Sequence, residues 1–133
     1  MIAIDSSALM AIILDEPERK SFLDSLDRAE KALVSAATLI ESRMVAHGKG
    51  GEKLVLALDE IVQGYTMEIV PPGPAEIEIA HSAFVKYGKG NGHPAQLNFG
   101  DLFSYALAKS RGVPLLFKGD DFALTDVRVA SIT

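Results

Sequence analysis

Residues 101–117, DLFSYALAKSRGVPLLF, read as a helix that delivers the chain straight into a strand. An acid stands in the first turn, Lys109 and Arg111 stand in the last, and Gly112 lies just past the end. The apolar run VPLLF that follows has the length and composition of a buried strand. The same alternation appears at the start of the chain. Residues 2–5 read as a first strand, and SSALMAIILDE as a short apolar helix capped by Ser6 or Ser7.

Between these ends the pattern repeats. Pro17 suits the first turn of a second helix, with Phe22, Leu23 and Leu26 as its apolar stripe. ALVS (32–35) is a second strand, and AATLIESRMVAHG a helix with Leu39, Ile40 and Met44 apolar, ending at Gly48. Another helix is expected over 52–62, then a third strand in YTMEIVPP. Pro74 opens a helix carrying Ile77, Ala80 and Phe84 on one face, and KYGKGNGHPAQLNFG reads as a loop. After the fourth strand, KGDDFALTD is a turn or short helix and VRVASI a final strand. Strands separated by helices imply βαβ crossovers. The expectation is therefore one α/β domain over residues 1–133, a central, mostly parallel β-sheet with helices on both faces. Sites in such sheets form beyond the carboxyl ends of the strands.

Composition narrows the class. The chain has 133 residues, 48% hydrophobic and 23% charged, enough for a proper core. With no cysteine, disulfides and thiolate metal sites are excluded, which agrees with a cytoplasmic location. No apolar run approaches a membrane span, and the start lacks the basic residues of a secretion signal. A net charge of −5 argues against a bulk electrostatic nucleic-acid binder, though clustered acids in a nuclease site would also lower the total.

The acids fall at element ends. Asp5 ends the first strand, Glu41 lies about two turns into the helix after the second, Asp101 opens its helix, and Asp120 and Asp121 follow the fourth strand. Taken singly, each has an ordinary reading: Asp5 as a helix cap, Glu41 as a solvated helix residue, Asp101 as a dipole partner, Asp120–Asp121 as a turn. Taken together, in a doubly wound sheet they can all converge on one edge. Two carboxylates about 5 Å apart repel by roughly 3 kcal/mol at an effective dielectric of 20. Several such pairs strain a marginally stable domain unless some acids hold protons or a cation neutralises them. With oxygen ligands only, Mg²⁺ or Mn²⁺ fits better than Zn²⁺, and such ions serve phosphoryl chemistry.

MIAIDSSALMAIILDEPE at the start, SAATLIESRMV around Glu41, LNFGDLFSYALAKSRGVPLLFKGDDF and TDV together resemble the PIN-domain family, and more narrowly its VapC toxins of toxin–antitoxin pairs. The resemblance implies a Mg²⁺- or Mn²⁺-dependent endoribonuclease in which Asp5 and Asp101 bind metal directly and Glu41 completes the site. Some relatives carry Thr-x-Asp where this chain reads FKGDDF, so Gly119 falls where that Asp would align. Asp120 is preferred as the fourth acid, with Asp121 as the alternative. Ser7 matches a small polar position suited to hydrogen-bonding a ligand carboxylate or a metal-bound water, and equally suited to capping the helix. The resemblance further implies a homodimer and a cognate VapB-type antitoxin that blocks the site.

Lys86, Lys89 and His93 in the glycine-rich loop, and Lys118 beside the acid pair, are candidates to hold RNA phosphates; for the loop cations the alternative is a solvated surface. Tyr87 is either a base-stacking or a packing residue, and His47 and His81 read as structural or surface residues. Two other functions compete. One is a metal-dependent phosphatase of small phosphoesters, against which DSS after Asp5 lacks the D-x-D nucleophile pattern. The other is a non-catalytic module that docks a basic partner on its acids.

Overall fold

The computed structural model of the protein describes residues 1–130. Its elements run β1 (Ile2–Ile4), α1 (Ser6–Ile13), α2 (Arg19–Arg28), β2 (Ala32–Ser35), α3 (Ala36–Gly64), β3 (Glu68–Val70), α4 (Pro74–Tyr87), α5 (Phe99–Arg111) and β4 (Leu115–Leu116), with a 3-10 turn at Phe122–Leu124. The four strands are all parallel, in the order β3-β2-β1-β4. The expected α/β architecture is thus the one found. No helix among the described residues is long and apolar enough to cross a membrane.

Period-two alternation in the strands divides the core between two layers. Ile2, Ile4, Ala32, Val34 and Leu116 pack with Leu9, Ile12, Phe22, Leu26 and Leu58 from α1, α2 and the second half of α3. Ala3, Leu33 and Leu115 point the other way, into Tyr87, Leu102, Tyr105 and Leu107 of α4 and α5. Covered on both faces, the inner strands tolerate no polar residue until their ends, which is why they read as unbroken apolar runs. Burying each Leu or Ile contributes about 1.5–3 kcal/mol.

Several local expectations give way. The cap of α1 is Asp5, whose side chain accepts from the Ser7 backbone, rather than Ser6 or Ser7. Helix α2 starts at Arg19, so Pro17 precedes it. The helix expected to stop at Gly48 runs on to a kink at Gly51, whose φ of 68° and ψ of −159° are open to glycine and strained for other residues, and the expected second helix follows it to Gly64, the two together forming α3. The core-facing stripe of α3 is Thr38, Ser42 and Ala46, whereas Ile40 and Met44 are exposed. On α4 the buried residues are Ala83 and Tyr87, and Ile77 and Phe84 face outward. Helix α5 begins at Phe99, two residues early, and ends as expected with Gly112 in the left-handed region at φ 64°. The expected last strand shrinks to a single bridge between Val129 and Leu115, and residues 131–132 of that expectation lie outside the described residues.

Sheet order is what positions a site here. β1 has β2 on one side and β4 on the other, and their crossovers leave on opposite faces, so a crevice opens at the carboxyl end of β1. Asp5 is the first residue beyond it.

Candidate active site

Asp5 is only 2% exposed, yet it is a carboxylate with three donors. Its Oδ2 accepts from the Ser7 backbone N–H at 3.0 Å and the Ser7 hydroxyl at 2.7 Å. Its Oδ1 accepts from the Ser104 hydroxyl at 2.5 Å. With its proton committed to Asp5, Ser104 Oγ is left to accept from Thr38 Oγ1, 3.2 Å away. The Ser7 oxygen in turn accepts from the Lys118 backbone N–H at 3.0 Å, tying the segment after β4 to the start of α1. Donors of this kind are what allow a buried carboxylate to stay desolvated.

Asp101 is the third residue of α5 and half of a capping box. Its backbone N–H donates to Asn98 Oδ1, and its Oδ2 accepts from the Asn98 N–H, both at 2.9 Å. One carboxylate oxygen is therefore occupied by the helix start and the other is free for the crevice. Asn98→Ala is expected to lower stability by about 0.5–2 kcal/mol, read as a shift in the denaturant midpoint.

Burial pushes the Asp101 carboxyl up to about 6; the Asn98 N–H opposes this, and the charges of Asp5, Asp121 and Glu41 add to it. Acids from three other segments of the chain therefore act on Asp101. Glu41, in the second turn of α3, lies against Gly100, immediately before Asp101. Asp121 is the member of the acid pair whose charge reaches Asp101, and both members are exposed.

No ion pair among the described residues includes any of these acids. Lys118, closest in sequence to the acid pair, has its Nζ 3.3 Å from both Glu16 and Glu18. The hydrogen bond to Glu16, supported by Glu18, raises its affinity for a proton. Arg43 faces Asp59, and Lys31 and Arg111 share Glu68. The donor set, carboxylate oxygens with excess negative charge and no protein cation, suits a hard divalent ion. The carboxylates are not yet gathered around a point: among the described residues, no three His, Asp or Glu side chains converge closely enough to hold one as they stand.

The loop candidates lie elsewhere. Tyr87 is 4% exposed and packs edge-on against His93 with ring centroids 4.9 Å apart, so its ring is a packing element. His93 Nδ1 accepts from the Ala95 N–H, and Lys86 Nζ sits 5.0 Å from the Tyr87 ring centre. Lys89 is exposed, its backbone N–H bonded to Leu97. His47 pairs with Glu52 on the surface and His81 is exposed. Sequence reasoning missed Ser104, Thr38, Asn98 and Gly100. Only Ser104 left a trace, a small polar residue in the largely apolar run LFSYALA one turn after Asp101.

Residues 2–128 match the PIN domain. The chain is 39% identical over 127 residues to Ribonuclease VapC28 of Mycobacterium tuberculosis, covering 96% of each chain. It is 37% identical over 131 residues to Ribonuclease VapC30 of the same organism, covering 98% of this chain and 99% of that one. Among solved structures, Mycobacterium tuberculosis VapC20, described as a sarcin-ricin loop cleaving toxin, superposes with a TM-score of 0.76 at 15% identity, covering 96% of each chain. FitAcB from Neisseria gonorrhoeae superposes with a TM-score of 0.71 at 21% identity, covering 99% of this chain and 98% of that one. Acids at the carboxyl edge of a parallel sheet and similarity along nearly the whole chain agree: the protein belongs to the PIN-domain family, in its VapC group.

Proposed function

We propose that the protein is a Mg²⁺- or Mn²⁺-dependent endoribonuclease, the toxin of a VapBC-type pair, acting in the cytoplasm. The observation that carries this is that the charges of Asp5, Glu41 and Asp121 all bear on Asp101, while no ion pair among the described residues includes any of the four. Similarity to relatives named ribonucleases supplies the substrate class.

Asp5 and Asp101 would hold the metal, with Glu41 completing the set. Asp121 is the better fourth acid than Asp120, because its charge is the one Asp101 feels. A divalent ion there supplies an activated water and offsets negative charge on the scissile phosphate and leaving oxygen. The chain's own part is orientation. Ser7 and Ser104 fix both oxygens of Asp5, and the Asn98 box fixes one oxygen of Asp101, so neither carboxylate must be ordered at the moment of reaction. The apolar side chains of Ile40, Met44 and Phe99, exposed on the elements that carry Glu41 and Asp101, suit the expected homodimer or VapB-type antitoxin.

The test is cleavage of structured RNA beside a panel of small phosphoesters. RNA cutting should vanish in EDTA and return with Mg²⁺ or Mn²⁺. Hydrolysis confined to the small esters would instead mark a phosphatase, and no hydrolysis with no metal binding would mark a docking module.

A further inference from the structure

Gly100 is the second residue of α5, a place where glycine weakens the helix relative to alanine. Its backbone does not require glycine, since its φ is outside the left-handed region. What glycine provides is space. A Cβ on Gly100 would lie 2.3 Å from Glu41 Oε2, 2.7 Å from Oε1 and 2.8 Å from Cδ, closer than real Cβ atoms approach anything. The conflict is with the tip of a flexible side chain, so the fold can yield while the carboxylate cannot keep its place. No hydrogen-bond donor or cation among the described residues holds Glu41 there.

We propose that Gly100 is a positioning residue: the gap over its Cα seats the Glu41 carboxylate beside Asp101, and its catalytic meaning rests on the ribonuclease reading above. Any side chain at this position would expel Glu41 from the cluster without damaging α5.

The experiment is a cycle of wild type, Gly100→Ala, Glu41→Ala and the double variant, read by Mn²⁺ calorimetry, thermal melting and RNA cleavage. Gly100→Ala should weaken Mn²⁺ binding by about tenfold or more, the scale for losing a supporting residue, and slow cleavage by about 10²-fold. Its Tm should be equal to or above that of wild type. In the Glu41→Ala background the same change should do nothing further, because the obstructed group is gone. Wild-type Mn²⁺ affinity in Gly100→Ala, or an equal loss in both backgrounds, would overturn the proposal. If the single variant melts early, the double variant should recover; a loss it does not relieve also overturns it. The ¹³C shift of the Glu41 carboxyl in metal-free protein separates the two readings. It should move in Gly100→Ala even if the wild type binds no Mn²⁺ and cuts no RNA, in which case the ribonuclease reading fails alone. An unmoved shift removes the role assigned to Gly100 whatever the enzyme does.

Discussion

Asp5→Asn and Asp101→Asn should each reduce RNA cleavage by about 10³-fold or more, beyond the roughly 10–100-fold cost of losing a residue that merely supports a metal ligand. Asparagine is the informative replacement at both sites. At position 5 the amide oxygen can face the Ser7 donors while the amide nitrogen donates to Ser104, whose hydroxyl then turns to donate to Thr38. At position 101 an amide oxygen still accepts from the Asn98 N–H, so the helix start survives. Shape and hydrogen bonds are kept, and only charge is lost. For Asp101→Asn, stability in EDTA near pH 7.5 should rise rather than fall, because one of several mutually repelling charges is removed. Melting curves and single-turnover cleavage on the same samples check both halves. Cleavage near the wild-type rate in either variant would remove that acid from the site.

The second large effect is on pH. The folded Asp101 carboxyl takes its proton near 6, above the ordinary 3.8, so the folded state binds more protons than the unfolded one between those values. Stability contributed by this group therefore falls as pH rises through that window and stays lower above it. In EDTA the protein should melt higher at pH 5 than at pH 7. Divalent ions invert the trend, since they need the ionised carboxylate and compete with the proton. Below about pH 6, Mn²⁺ affinity should drop by roughly tenfold per pH unit, one proton being displaced per site. Calorimetry at pH 5, 6 and 7 measures this, and a flat profile would show that Asp101 does not ligate.

Much of the frame was legible because it depends on local rules. ALVS became β2 at the residues expected, and DLFSYALAKSRG became most of α5, since apolar runs and terminal charges are signals carried within a few residues. The stripes on α3 and α4 were misread for the opposite reason. Ile40 and Met44 have helical spacing, but Thr38 and Ser42 face inward because Thr38 must meet Ser104, 66 positions away. The acids were visible because charge at the end of an apolar strand is conspicuous. Their supports were not: Ser104 reaches Asp5 across 99 positions, and Gly100 matters only because of where Glu41 ends. The choice within the Asp120–Asp121 pair depends on the turn after β4, which no spacing rule encodes.

The backbone of Asp5 is laced into the ladder, its N–H bonded to the Leu116 carbonyl, while Asp121 heads an exposed turn at the periphery. The first is held by the sheet, the second by the packing of its neighbour Phe122, alone of the three turn residues. Were that outer turn to open against the hold of the buried Phe122, Asp121 would leave the other acids while the skeleton around β1 stayed intact.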